Sequence, residues 1–329
     1  MMGIAMKIWL KRFIIITVVL MFLGVTAVAA FSVGAVSGFF ARIQENSLSE
    51  DVISGEEEEA KIGIIRMEGL ILSSGPEDFF ASSTVITPGE VKRWLREILK
   101  DDQVKAVVIE LNSPGGSPVA ADEIYKAMKT FRASGKSVVV VMEDTATSGA
   151  YYIAVAADRI IASPATLTGS IGVISEITNI EELLKKVGVS VEVYKSGKFK
   201  DFSSFARGRT DEEKKLIQEY IDTAYDMFVS RVSEGRNMDK TVVHGLAQGQ
   251  IYSGNKALEL RLIDGLGSVE DGVEEAKKLQ NLTEVKIVRY RTQSALDVLL
   301  GRIETMVNPV SSLMARFTPG FRAAYLPSF

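Results

Sequence analysis

Three runs of apolar residues constrain the fold more than anything else in the chain. Residues 61–71 read KIGIIRMEGLI, residues 104–112 read VKAVVIELN and residues 137–142 read SVVVVM. A strand with one wet face alternates apolar and polar side chains, whereas these runs are apolar almost without a break, so both faces must be covered. Between the second and third runs, PVAADEIYKAMKTFRASG from Pro118 carries apolar residues at helical spacing and closes with Gly135. A short strand DRIIAS (158–163), a helix (180–187), a strand VSVEVYK (189–195) and a long amphipathic helix from Thr210 to about Glu234 are expected further on. Strands of this kind alternating with helices predict an α/β fold on a largely parallel sheet, with helices on both faces.

The N-terminal region reads differently. Residues 13–41 hold 29 positions without a charge, about 44 Å as a helix against the roughly 30 Å of a bilayer core. The expectation is one transmembrane helix over 13–41. Lys7, Lys11 and Arg12 precede it and Glu45, Glu50 and Asp51 follow, which puts residues 1–12 in the cytoplasm and the rest outside. The AVA at 27–29 would also suit a cleaved signal peptide, but the apolar run continues past it, beyond the roughly 7–15 residues of such a segment, which favours a retained anchor. Residues 42–60 are polar and acidic and read as a flexible tether. A folded domain is expected over 61–290 and a C-terminal helix and tail over 291–329, with Leu296, Leu299, Leu300, Ile303 and Met306 on one stripe.

Composition then limits the chemistry. The chain has no cysteine and one histidine, which removes disulfides, cysteine nucleophiles and thiolate metal sites and leaves no ligand cluster for zinc. No phosphate-binding G-x-x-x-x-G-K-[ST] loop is present, and neither a cofactor nor a metal is expected. Setting aside the four basic residues of the first 42 leaves 34 basic against 42 acidic, a net charge of −8, so nucleic acid is a poor partner. Hydrolytic chemistry must come from serine, threonine, lysine, carboxylates or backbone amides.

Two strand-to-helix turns stand where open α/β sheets handle ligands. In LNSPGGSP (111–118) two adjacent glycines can bring backbone amides close to a developing oxyanion, or simply make a tight turn. In DTATSGAYYIAV (144–155) small residues deliver Ser148 to the start of a helix, as a nucleophile or as a cap, with Thr147 an equal candidate for the cap. It is not the G-x-S-x-G elbow, since Ala146 and Ala150 fill the glycine positions. His244, in TVVHGLAQ, reads as a surface or packing residue. A serine hydrolase without histidine can use a lysine whose burial favours the neutral amine. VEVYKSGKFKDFSSF offers Lys195, Lys198 and Lys200 among Val193, Tyr194, Phe199 and Phe202; physical reasoning leaves Lys198 and Lys200 undecided.

The ordered blocks NSPGGS, TSGAYYIA, ADRIIASPATLTGSIGVI, YKSGKFKD and GQIYSGNKALELRLIDGLG closely resemble the signal peptide peptidase A family. These are bacterial membrane-bound serine peptidases of the ClpP/crotonase superfold. The resemblance covers about residues 61–272 and includes the N-terminal anchor. It implies a Ser/Lys dyad with Ser148 as nucleophile and Lys200 as general base. It further implies that Ser170 of TGSIG orients the lysine and that the amides of Gly115 and Gly149 form the oxyanion hole. Ala150 departs from the glycine of many members. The resemblance also implies a homo-oligomeric, dome-shaped ring of eight subunits, with the serine and lysine of one site on neighbouring chains. The implied substrates are peptides, chiefly signal peptide remnants left in the membrane, cut at small or apolar residues. On this reading the C-terminal tail packs on the domain, lies on the membrane or enters the peptide groove and is trimmed. Two other readings share the fold: a crotonase-like acyl-thioester enzyme, which the exported topology disfavours, and a catalytically silent membrane scaffold.

Overall fold

A computed structural model describes residues 48–75 and 85–292. The strands are β1 (Leu48–Ser54), β2 (Lys61–Glu68), β3 (Leu70–Ile71), β4 (Val85–Ile86), β5 (Val104–Ser113), β6 (Ser137–Thr147), β7 (Arg159–Ala162), β8 (Leu167–Gly169), β9 (Ile251–Ser253), β10 (Gly265–Leu266) and β11 (Lys286–Thr292). The helices are α1 (Pro88–Leu99), α2 (Pro118–Arg132), α3 (Gly149–Ala154), α4 (Glu181–Lys186), α5 (Asp211–Arg236), α6 (Lys240–Leu246), α7 (Gly254–Glu259) and α8 (Val269–Gln280). One compact unit spans Glu50–Tyr290.

The three apolar runs become β2, β5 and β6 at the centre of a nine-stranded sheet of order β1-β11-β2-β5-β6-β7-β10, with β8 on β6 and β9 on β8. From β11 to β10 neighbouring strands run parallel, and β8 also pairs parallel with β6; β9 pairs antiparallel with β8. The apolar runs bury both faces. On one face Ile62, Ile64, Ala106, Val108, Val139 and Val141 form a core with Val273 and Ala276 of α8. The intervening Val107, Ile109, Val138 and Val140 are also fully buried and face the other side by the period of two, where α2 and α3 pack. Gly272 lets α8 come this close: a β-carbon there would stand 2.4 Å from a Val141 methyl.

Helix starts follow local capping chemistry. Ser117 Oγ accepts from Ala120 N–H at 3.3 Å with Pro118 in the first turn of α2, and Thr210 with Glu213 closes a capping box on α5. Three observations differ from the sequence reading. The tether over 42–60 contains β1, so part of it is sheet edge. Strand β6 runs on from Met142 to Thr147, because Thr145, Ala146 and Thr147 pair with Leu167, Thr168 and Gly169. The expected strand at 189–195 is not formed: Val189, Val191 and Val193 alternate as a strand would, but all three are about half exposed and no strand among the described residues pairs with them. A lone strand cannot satisfy its backbone groups by pairing. The expected spans at 13–41 and 294–306 lie outside the described residues, and among those described no helix is long and apolar enough to cross a membrane.

Candidate active site

Ser148 sits at the junction of β6 and α3 with φ 54° and ψ −120°, a region that non-glycine residues visit rarely and that costs roughly 1–3 kcal/mol. Surrounding structure holds it there. Its N–H donates to Gly169 O at 2.8 Å and its carbonyl accepts from Tyr152 N–H at 2.9 Å. All six residues of α3 are buried, and Tyr151 Oη donates to Leu262 O at 2.8 Å. The side chain makes no capping hydrogen bond. Ser148 therefore occupies the cap position without doing a cap's work, which leaves its hydroxyl available.

The PGG turn approaches Ser148 from α2. Gly115 has φ +100°, and a β-carbon on it would stand 2.7 Å from Gly149 N, 2.8 Å from Thr147 O and 2.9 Å from Ser148 Cβ. Only glycine permits this contact. Ile71 clamps the turn from the other side, donating its N–H to Gly115 O at 2.9 Å and accepting from Ser117 N–H at 2.8 Å. The Gly115 N–H, one of the two expected oxyanion donors, is committed to Ser113 Oγ at 3.1 Å. The amides of Gly116 and Gly149 have no hydrogen-bond partner among the described residues. Gly116 N lies 3.2 Å from where a β-carbon on Gly149 would stand, so these two unclaimed donors are neighbours beside Ser148.

A cleft of about 710 Å³ opens over this point, lined by Ser148, Gly116, Gly149 and Ser170 and walled by Ile221 and Phe228 of α5 among others. Ser170, at φ 49° and donating its N–H to Gln250 O at 2.7 Å, thus shares the cleft with Ser148. A larger cavity of about 1070 Å³, lined by Glu110, Glu143 and Arg289 among others, contains none of these residues; the smaller cleft is the one that brings the candidate nucleophile and the two unclaimed amides together. His244 does not line the cleft; it is exposed and meets Tyr225 Oη at 3.3 Å through Nδ1.

The lysines stand elsewhere in the chain. Lys195 Nζ donates to Lys198 O at 3.1 Å and to Asp201 Oδ1 at 2.6 Å, and Lys198 is ion-paired with Glu212. Lys200 is exposed in the turn that follows, does not line the cleft, and its ammonium has no ion pair or hydrogen bond among the described residues. This separates two lysines that the sequence left equal: one is engaged, the other free.

Residues 130–283 match Peptidase family S49, and residues 90–167 match the Clp protease family. A candidate signal peptide peptidase SppA of Enterococcus faecium is 37% identical over 249 residues, 76% of this chain and 72% of its own length. A candidate protease of Synechocystis sp. is 41% identical over 204 residues, 61% of this chain and 73% of its own. The chain belongs to peptidase family S49. A further relative, the chloroplast serine protease SPPA of Arabidopsis thaliana, is 31% identical over 249 residues, covering 73% of this chain and 36% of that protein. The S49 chain is accordingly a serine peptidase with a Clp-like α/β fold.

Beneath the cleft of this S49 peptidase lies a polar cluster that the sequence reading missed. Tyr152 Oη, one turn after Ser148, donates to Asp122 Oδ1 at 2.7 Å, and Asp122 also accepts from Arg231 Nη2 at 3.3 Å and pairs with Lys126 at 2.5 Å. Burial works against the Asp122 carboxylate, but the hydrogen bonds from Lys126 and Tyr152 outweigh it and hold the group below the usual carboxylate range. Arg231 also stacks over the Tyr125 ring at 4.7 Å. The cluster joins the helix after the PGG turn, the helix after Ser148 and the wall of the cleft. Its only sequence signal was an aspartate at a position that the helical pattern of α2 marks as inward.

Proposed function

We propose that this S49 chain is a membrane-anchored serine endopeptidase that uses Ser148 as nucleophile and Lys200 of a neighbouring subunit as general base, acting on peptides left in or near the bilayer. The observation that carries the reading is the strained, uncapped Ser148 beside two unclaimed amides on a cleft floor. The neutral amine of Lys200 takes the proton from Ser148 Oγ as the oxygen attacks the scissile carbonyl carbon. The resulting oxyanion accepts from the N–H groups of Gly116 and Gly149, with Gly116 in place of the expected Gly115 because the latter amide is already bonded to Ser113. Collapse breaks the C–N bond, the leaving amine receives the proton from the lysine ammonium, and an acyl-enzyme forms. Water, deprotonated by the same lysine, then releases the carboxylate and restores Ser148. Ser170, beside Ser148 in the cleft, is placed to accept from an incoming lysine and orient it.

Two features support a dyad shared between subunits; the ring of eight is proposed from the family resemblance alone. Lys200 does not line the cleft of its own chain. The stretch from 174 to 205 that contains it exposes Ile174 at 84%, Tyr194 at 91% and Phe205 at 57%, side chains that a neighbouring chain would cover. Signal peptide remnants are proposed as substrates because one relative is named a signal peptide peptidase and because Ile221, Ala224, Met227 and Phe228 give the cleft an apolar wall. A helix over 13–41 would hold the domain against the outer face of the membrane, where such peptides lie.

The deciding experiment mixes two inactive variants. Ser148→Ala and Lys200→Ala are each expected to lose peptide cleavage while still assembling, and Lys198→Ala to keep activity within about threefold, since exposed pairs such as its contact with Glu212 contribute roughly 0–1 kcal/mol. Co-assembled Ser148→Ala and Lys200→Ala chains should regain cleavage; inertness at every mixing ratio would exclude a shared dyad. An active Lys200→Ala chain would remove Lys200 as the base.

A further inference from the structure

Lys200 is followed directly by a carboxylate. For a lysine that must shed its proton this is a poor neighbour, because an opposite charge within about 4–6 Å favours the charged amine. The chain engages both oxygens of that carboxylate elsewhere. Asp201 Oδ1 accepts from Lys195 Nζ at 2.6 Å and from Arg207 Nη2 at 2.8 Å, and Oδ2 accepts from Arg207 Nε at 2.8 Å. Arg207 also donates to the Asp201 carbonyl at 3.2 Å and to both Glu213 oxygens, at 2.5 and 2.9 Å. Glu213 in turn accepts from Thr210 N–H at 2.9 Å in the capping box of α5. Two cations and two carboxylates balance.

Of the other charged groups around this turn, Lys198 and Glu181 are engaged, and Arg209 is held through Nη1 alone, its buried Nε and Nη2 having no partner among the described residues. Lys198 pairs with Glu212 of α5, Glu181 of α4 accepts from Gly208 N–H at 3.0 Å, and Arg209 Nη1 donates to Arg207 O at 2.5 Å. Hydrogen bonds from Arg207, then from Lys195, hold the Asp201 carboxyl well below the usual carboxylate range. A guanidinium suits this task because its planar fork reaches Asp201 and Glu213 together, whereas an ammonium is a single point charge.

We propose that Arg207 is a positioning residue for the general base: by occupying Asp201 it prevents an ion pair between Asp201 and Lys200, and it ties the Lys200 turn to the first turn of α5. The proposal rests on Lys200 as base and goes beyond that assignment, since it concerns what keeps the base usable. Removing Arg207 leaves Asp201 with Lys195 as its one cation and Glu213 with none among the described residues, and so frees negative charge beside the Lys200 turn.

The test is the pH dependence of kcat for the full-length chain on an internally quenched fluorogenic peptide. In Arg207→Met the midpoint of the rising limb should move up by about one pH unit, the low end of the effect of a close opposite charge. The rate would then be about tenfold lower on the acid side of the midpoint and would recover to near the wild-type plateau at alkaline pH. Adding Asp201→Asn to Arg207→Met should return the midpoint to its wild-type position, which a merely structural loss would not do. Should Arg207→Met fail to assemble, Arg207→Lys decides: it keeps the charge without the fork and should show a smaller upward shift. An unmoved midpoint, with loss equal at every pH, overturns the proposal while the base assignment stands. Activity in Lys200→Ala, measured alongside, overturns both.

Discussion

The contact between the PGG turn and Ser148 makes a sharp prediction for Gly115→Ala, with Gly135→Ala as its control. Both glycines have positive φ, +100° and +89°, but a β-carbon on Gly135 meets nothing within 4 Å. Gly135→Ala should therefore show backbone strain alone, about 1–2 kcal/mol of destabilisation. At Gly115 the new carbon falls 2.7–2.9 Å from Gly149 N, Thr147 O and Ser148 Cβ, well inside the roughly 3.5–4.0 Å of a comfortable contact. Overpacking adds about 1–3 kcal/mol, for a total of about 2–5 kcal/mol. Relief requires Gly149 N–H and Ser148 to move by several tenths of an ångström. Loss of one oxyanion donor reduces kcat by about 100- to 1000-fold. The assay is kcat at saturating quenched peptide, with thermal unfolding of both variants beside wild type. A kcat for Gly115→Ala within about threefold of that for Gly135→Ala would refute the placement of the oxyanion site at this contact.

Two further outcomes are expected. Tyr152→Phe removes the 2.7 Å donor to Asp122 and should destabilise the domain by about 1.5–3 kcal/mol, the range for a hydrogen bond to a charged group; an unchanged melting temperature would mean that Arg231 and Lys126 suffice. Arg207, followed by the backbone bond from Thr210, depresses the Glu213 carboxyl to about 2. A depressed carboxylate contributes stability above its unfolded value, about 4.3, and loses it as pH falls through about 2. Amide exchange over 195–213 should accelerate across that interval, and equal protection at both ends would contradict the sign.

The central sheet was legible because a run apolar on both faces admits few arrangements, and β2, β5 and β6 emerged where those runs lie. The two turns that meet at Ser148 were legible as turns, but the state of Ser148 between them was not. A cap and a nucleophile are written with the same small residues, and the difference lies in a φ of 54° that tertiary burial of α3 imposes. Which of two adjacent glycines keeps a free N–H depends on the Ser113 hydroxyl two residues away, a choice that no pattern of glycines encodes. Strand alternation at Val189, Val191 and Val193 was real, but a strand needs a neighbour and none of the described residues provides one. Charge pairing, invisible in a string of lysines, distinguished Lys198 from Lys200.

The exposed segment that carries Lys200 has a consequence for how such a peptidase is controlled. If, as proposed, a neighbour lends the base, an isolated chain holds Ser148 with nothing to deprotonate it. Catalytic competence then depends on mass action, and dilution below the association threshold removes activity far more steeply than it removes protein. A newly made chain is harmless to the proteins around it until enough copies have gathered. On that reading the exposed segment around Lys200 is a safety catch that assembly itself releases.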